Sequence, residues 1–295
     1  MASLNEIKTR ISSVNSTKKI TSAMMMVASA KLTRAQGAIS NFLPYQEKLD
    51  TILTNVLSAD SSYESPFTTG REVKRTAIVA CSSNGSLCGA YNSHIIKQFR
   101  DVYQAKLSLG AENILVYTVG KKIGDAVKKA NIKIEGQYDS IADSPKFDES
   151  KELAKKLINL YLAKEIDEVI VIYFHFVSAG SQKLQNMTYL PFDLNKKPTE
   201  KEGEKKFRNE VDYIFEPSKE EILDNLIPTV LYTRLYAAFL DASASEHASR
   251  MVAMQTATDN AKELNEELTL MFNKQRQQEV TNELLDIIGG ANALS

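Results

Sequence analysis

A chain of 295 residues with 43% apolar residues can bury a real core and build one large domain or two moderate ones. Its formal net charge of −1 excludes a global field that would draw in nucleic acid or acidic lipid. No window reaches the roughly 18 uninterrupted apolar residues that suggest a membrane span.

The opening Met1-Ala2-Ser3-Leu4-Asn5-Glu6 has no signal-peptide core, and no Arg/Ser-rich transit segment precedes the first structured-looking residues. The expectation is an intracellular protein synthesised where it works. Ser3, with Glu6 three residues on, has capping-box spacing. Leu4, Ile7, Ile11, Val14, Lys18, Thr21, Met25, Ala28, Leu32, Ala35, Ile39 and Phe42 then step alternately by three and four. That is a heptad seam interrupted by polar Lys18 and Thr21. Gly37 and Pro44 are expected to soften or bend its continuation toward Leu57.

The middle of the chain alternates. Apolar runs at Thr76–Cys81, Ile114–Val119, Ile132–Ile134 and Val169–Val177 read as strands. Helical patterns lie between them at Ser93–Lys106, Lys121–Ala130 and Glu149–Lys164. Strand–helix alternation predicts a parallel sheet with right-handed crossovers. Met187–Phe192 and Val211–Phe215 read as further strands, and Asn195–Asn209, dense in Lys and Glu, as an exposed loop.

A second long helix closes the chain. Ser218 and Glu221 repeat the capping-box spacing, and Pro228 is expected to kink the helix or split off its first part. From Thr229 to Ile288 sixty residues pass without Gly or Pro; as a helix they would run roughly 90 Å. A domain of this size cannot house such a rod, so it must be covered from outside. Met254, Ala257, Ala261, Leu264, Leu268 and Met271 form its seam, and Gly289-Gly290 is the expected stop. Residues 1–46 carry six Lys/Arg and one acid, and residues 229–295 five Lys/Arg and nine acids, so the segments are +5 and −4. Opposite charge favours their pairing. The pair is antiparallel if the middle domain returns the chain to the same side. The division is 1–60, coiled-coil helix; 70–215, Rossmann-like α/β domain; 216–295, coiled-coil helix.

Candidate chemistry is sparse. The loop Ser82-Ser83-Asn84-Gly85-Ser86-Leu87-Cys88-Gly89-Ala90 joins a strand to a helix, where an α/β sheet places a phosphate loop. It is not G-x-G-x-x-G, and no Walker sequence occurs anywhere, so it reads as a tight structural turn. Cys81 and Cys88 read as reduced thiols with no zinc spacing. Cys88 near a helix start has no readable His–carboxylate partner. His94, His175 and His247 are scattered, and Met24-Met25-Met26 splay around a helix as packing residues. No catalytic, cofactor or metal site is expected.

The terminal helices carry a resemblance. Ile7-Lys8-Thr9-Arg10-Ile11, Thr17-Lys18-Lys19-Ile20-Thr21-Ser22-Ala23-Met24 and Met26-Val27-Ala28-Ser29-Ala30-Lys31-Leu32 resemble the opening helix of the gamma subunit of F-type ATP synthases. Glu246-His247-Ala248-Ser249-Arg250-Met251-Val252-Ala253-Met254-Gln255 and Ala257-Thr258-Asp259-Asn260-Ala261 resemble its closing helix. Phe272-Asn273-Lys274-Gln275-Arg276-Gln277, Thr281-Asn282-Glu283-Leu284 and Gly289-Gly290-Ala291 match its C-terminal signature, and Leu87-Cys88-Gly89 its central loop. The likeness covers the chain in order. It departs in the loop, where the family commonly has Asp-x-Gly-Leu-Cys-Gly-Gly, and in lacking the chloroplast-type insertion with paired cysteines, so thiol modulation is not expected.

The resemblance implies a non-catalytic rotor. Its coiled coil would stand in a ring of three alpha and three beta subunits, and its lower part and α/β domain would meet the epsilon subunit and the membrane ring of c subunits. Proton or sodium flux would drive rotation coupled to ATP synthesis or hydrolysis at the beta subunits. No nucleic acid and no direct small-molecule substrate are implied. A peripheral position on the cytoplasmic side of a bacterial cell membrane is. Arg250, Gln277, Thr281 and Glu283 match positions that hydrogen-bond beta-subunit loops, and Lys18, Lys19, Met24 and Lys31 lie in the matching N-terminal segment. Gln255 and Arg276 are further partner-binding candidates, and the apolar tip Ala291 to Leu294 suits an apolar sleeve. The competing readings are a Rossmann-like enzyme dimerising through coiled-coil arms and a cytosolic coiled-coil scaffold.

Overall fold

A computed structural model describes residues 3–58, 66–67, 70–192, 216 and 218–293. The expected Asn195–Asn209 loop, the strand at Val211–Phe215 and Leu294 of the tip lie outside the described residues. Two units are distinguished: residues 1–29 with 250–295, and residues 30–249.

The larger unit is built on a five-stranded sheet of order β3-β2-β1-β4-β5. Its strands are β1 (Thr76–Cys81), β2 (Ile114–Val119), β3 (Ile134–Gln137), β4 (Glu168–Ser178) and β5 (Ser181–Leu190). β1 pairs in parallel with β2 and β4, and β2 with β3; β5 returns antiparallel to β4. β1 is buried at all six positions, as a central parallel strand covered on both faces must be. β1 and β2 have the expected bounds. β3 lies later than Ile132–Ile134: the chain turns at Asn131 (φ 55°), and the Ile132 N–H bonds back to the Val127 carbonyl, capping a helix instead of entering the sheet. β5 begins six residues before the expected Met187, because its first half is polar and shows no apolar run.

Three of the helices are α2 (Tyr91–Lys106), α3 (Lys121–Lys129) and α5 (Phe147–Leu162), close to expectation. The five-residue α4 (Asp139–Asp143) is too short to show periodicity. On one sheet face Ile78 and Ala80 pack with Tyr91, Ile95 and Phe99 of α2 and Ile123 and Val127 of α3. On the other, Ala77, Val79 and Cys81 pack with Leu153, Leu157 and Tyr161 of α5 and with the two long helices, through Leu53, Val56, Leu223, Ile227, Leu231 and Phe239.

Those long helices are α1 (Leu4–Ser58, 55 residues) and α6 (Lys219–Ala293, 75 residues). Both capping boxes donate as expected: the Glu6 N–H reaches Ser3 Oγ at 3.3 Å and the Glu221 N–H reaches Ser218 Oγ at 3.2 Å. The expected stop at Gly289-Gly290 does not occur. α1 continues through Gly37 and Pro44, α6 is not split at Pro228, and α6 continues through Gly289-Gly290 to Ala293. A proline in a helix removes one backbone hydrogen bond; around Pro228 the buried Leu223, Ile227, Val230 and Leu231 hold the helix together. A glycine stops a helix when it turns left-handed, and neither Gly289 nor Gly290 has positive φ. In the larger unit Phe42 packs edge-on against Tyr236, and Asp50 pairs with Arg234 at 3.0 Å. Partner numbers fall as chain numbers rise, so the helices run antiparallel. In that ion pair the acid is on α1 and the base on α6, the reverse of the averaged terminal charges.

Candidate functional site on the terminal helices

The position where an open α/β sheet binds a ligand is the crevice at its topological switch point, here between β1 and β4. α6 fills it. Phe239, Ala242, Ser243 and Glu246 close against Cys81, Ser82 and Tyr91, leaving about 10 Å³, room for one water. Tyr91 Oη donates to the Ala242 carbonyl at 3.1 Å. The loop after β1 is bonded to itself and its neighbours. The Ser83 N–H donates to Asn92 Oδ1 at 3.0 Å, Asn84 Oδ1 accepts from the Lys121 N–H at 2.9 Å, and Ser82 Oγ accepts from the Ile123 N–H at 2.9 Å. Gly120, at φ +96°, comes so close that a Cβ there would lie 2.2 Å from the Ser82 carbonyl oxygen. The loop is therefore the tight structural turn its sequence suggested. Cys88 is buried within it, and burial pushes the Cys81 thiol far above its ordinary range. Among the described residues no group of His, Cys, Asp and Glu could hold a metal ion.

What the chain does offer is a coiled coil with a projecting end. In the smaller unit every expected α1 position turns inward: Ile7, Thr21 and Ala28 are buried, and Leu4, Ile11, Val14, Lys18 and Met25 half-buried. The polar interruption is matched, since the Thr21 and Thr258 hydroxyls lie 2.8 Å apart. On α6, Met254, Ala261 and Leu268 are buried as expected. Leu264 and Met271 are not: they are 45% and 55% exposed, and the inward positions belong to Asn265 and Phe272. The seam steps 254, 258, 261, 265, 268, 272, 275, 279. Starting on a four-step instead of a three-step shifts alternate positions by one residue, about 100° around the helix.

Counted antiparallel from the Thr21–Thr258 pair, Leu4 lies level with Gln275. Glu279 is the last partly buried residue, and every residue from Val280 to Ala291 is exposed. In this free chain Leu284, Leu285, Ile287 and Ile288 are 54%, 61%, 67% and 56% exposed. They were missed from the sequence because the seam was read only as far as Met271; four apolar residues within five positions, beyond the reach of α1, was the available signal.

The ten candidate residues fall as follows. Lys19, Gln255, Arg276, Gln277, Thr281 and Glu283 are exposed in the smaller unit, and Lys18, Met24 and Arg250 half-buried there; Lys31 is exposed in the larger unit. Gln255 Nε2 donates to Asp259 Oδ2 at 2.8 Å, and the Thr281 hydroxyl donates to the Gln277 carbonyl at 2.8 Å. Gln277 and Thr281, four apart, share a helix face; Arg276 and Glu283, seven apart, share another. These four are brought together on the projecting end. Within the smaller unit Lys18, Lys19 and Met24, counted from the Thr21–Thr258 pair, lie level with residues 255–261 and not with the projecting end.

Comparison with known proteins agrees with this geometry. The family described as ATP synthase matches residues 3–294. An ATP synthase gamma chain of Bacteroides fragilis is 56% identical over 99% of this chain and 100% of that protein. One from Bacteroides thetaiotaomicron is 54% identical over 99% of each. In fold, the chain resembles a chain of the Tetrahymena thermophila mitochondrial ATP synthase central stalk and c-ring (24% identity, TM-score 0.59, 81% of this chain and 99% of that one). It also resembles one from the Euglena gracilis mitochondrial ATP synthase rotor (16% identity, TM-score 0.63, 94% and 98%). A chain matched over nearly its whole length at such identity, with its would-be nucleotide crevice closed by its own helix, belongs to the ATP synthase gamma chain family.

Proposed function

We propose that this gamma chain is the central rotor that couples ion-driven rotation of a membrane c ring to ATP synthesis or hydrolysis on beta subunits, itself catalysing nothing. The observation that carries the reading is the projecting end of α6, which extends past α1 and bears apolar and polar side chains that none of the described residues covers. A ring of alpha and beta subunits would cover it, with Leu284, Leu285, Ile287 and Ile288 in an apolar sleeve. A rod identical on all sides could not bias three catalytic sites into different states, because a ligand shifts an equilibrium only by its differential affinity. Arg276, Gln277, Thr281 and Glu283, with Arg250 and Gln255 below them and Lys18, Lys19, Met24 and Lys31 on α1, would supply that asymmetry to the beta loops.

The sheet unit would meet the epsilon subunit and the c ring, the pumped ion being a proton or sodium. No helix among the described residues is long and apolar enough to cross a membrane, which fits peripheral attachment, here assigned to the cytoplasmic face of a bacterial cell membrane. The enzyme reading has no support from the filled crevice.

The test is the double variant Gln277→Ala, Thr281→Ala in the assembled complex. Each lost interfacial hydrogen bond costs about 0.5–1.5 kcal/mol, so steady-state hydrolysis should slow about tenfold. Melting of the free chain should move little, since exposed substitutions fall within about ±0.5 kcal/mol. Normal hydrolysis and coupling in a correctly assembled complex would remove these residues from the mechanism.

A further inference from the structure

Asp241, Ser245 and Ser249 are spaced four apart on α6 and so form one stripe. Each meets the β4–β5 hairpin. Asp241 Oδ2 lies 2.6 Å from His175 Nδ1, Ser245 Oγ donates to the Phe174 carbonyl at 3.1 Å, and Ser249 Oγ donates to Gln182 Oε1 at 3.1 Å. Between these contacts along α6 lie the buried Ala244 and Ala248, which carry little apolar area. Toward its tip the hairpin is exposed, Val177 at 58%. The outer hairpin is therefore held to the long helix by polar contacts.

Of those contacts one changes charge near neutral pH. His175 has Asp241 from α6 on one side and, in register on β5, Lys183 on the other. Tyr173, two residues back on the same face of β4, is held neutral, its hydroxyl pushed up to about 12 by burial and by Asp241 and Cys81. Cys81 on β1 is a buried neutral thiol. Glu246 and His247, the next ionisable groups on α6, pair with each other at 2.5 Å, with Glu246 lining the small cavity beside Tyr91. The hydrogen bond to Asp241 raises the His175 pKa above its ordinary 6.5, outweighing burial and Lys183, which lower it.

We propose that the β4–β5 hairpin is a pH-gated clasp on α6, tight when His175 is protonated and loosened when it is neutral. The sign follows from charge: an imidazolium on a carboxylate makes a charge-assisted bond roughly twice as strong as a neutral one. The clasp is fully engaged below the unfolded histidine pKa and weakens as pH rises through the raised one. It is a property of the larger unit by itself and does not depend on the coupling role.

Amide hydrogen exchange of the full-length chain at pH 6.0 and pH 8.5, corrected for intrinsic rates, tests it. The segment 174–184 should lose about fivefold in protection between the two pH values, while α5 keeps its own. His175→Gln should hold one pH-independent value. Asp241→Asn should flatten the response and shift the His175 titration, followed by NMR, to lower pH. A wild-type hairpin with unchanged protection, or a pH response that persists in His175→Gln, overturns the clasp.

Discussion

Asp167, between α5 and β4, shows how one carboxylate fastens the entry to a central strand. Oδ1 meets the Arg71 guanidinium at 2.6 Å, and Oδ2 accepts the Lys74 and Arg75 N–H groups at 2.9 and 3.0 Å. Arg71 also donates to the Tyr161 carbonyl at 2.8 Å and stacks over the Tyr161 ring at 4.3 Å. Burial pushes the Asp167 pKa up, but the two backbone donors and Arg71 more than offset it and hold it below the ordinary 3.8. A lowered folded pKa means stability that is present above the unfolded carboxylate pKa and lost as pH falls through the folded value. Asp167→Ala should cost about 1–3 kcal/mol for each donor left unpaired, read by urea unfolding at pH 7. Asp167→Asn should flatten the acid limb of the stability curve below about pH 4. An acid limb identical to wild type would mean that Asp167 is not ionised in this clasp.

At the scale of elements, the seam of the coil decides between two registers that sequence alone leaves close. Buried Leu268 should lose about 2–5 kcal/mol on Leu268→Ala, whereas Leu264→Ala, at a position 45% exposed, should cost much less. Asn265 sits in the seam with its side-chain oxygen buried and without a hydrogen-bond partner. Polar seam residues fix register at a cost in stability, so Asn265→Leu should raise the melting temperature. Three melting curves on the free chain check all of this; a larger loss from Leu264→Ala than from Leu268→Ala would restore the sequence register. The seam was legible on α1 because its three–four alternation is unbroken from Leu4 to Phe42. On α6, Ala257 and Thr258 are both half-buried, and small side chains at that step leave the pattern ambiguous.

The molecule carries an apolar helix end that its described residues leave uncovered. Replacing Leu284, Leu285, Ile287 and Ile288 by Ser should leave the melting temperature of the free chain nearly unchanged, since none is buried in it, and should reduce its self-association in sedimentation, because large exposed apolar patches promote association. The same variant should assemble poorly with alpha and beta subunits. Full assembly would show that the projecting end is not gripped. Seven of the ten candidate residues are exposed and Lys18, Met24 and Arg250 half-buried; no local pattern marks them, and they were nominated from the resemblance and their place on the terminal helices.

The two long helices, the α1 seam and the strands β1 and β2 were determined by sequence alone. Local periodicity encodes a helix face, and a short apolar run encodes a strand buried on both sides. Tertiary structure decided what local signals contradict. α6 continues through Pro228 and through Gly289-Gly290, since a helix breaker is a cost that neighbouring turns can offset and not a prohibition. The polar half of β5 is a strand because β4 offers it an edge to pair with, not because of its side chains. The crevice at the switch point is closed by Phe239 and Glu246, more than 150 residues along the chain from the loop at Ser82 that they shut. No motif could report that closure, since the missing phosphate loop and the helix that fills its place meet only when the chain is folded.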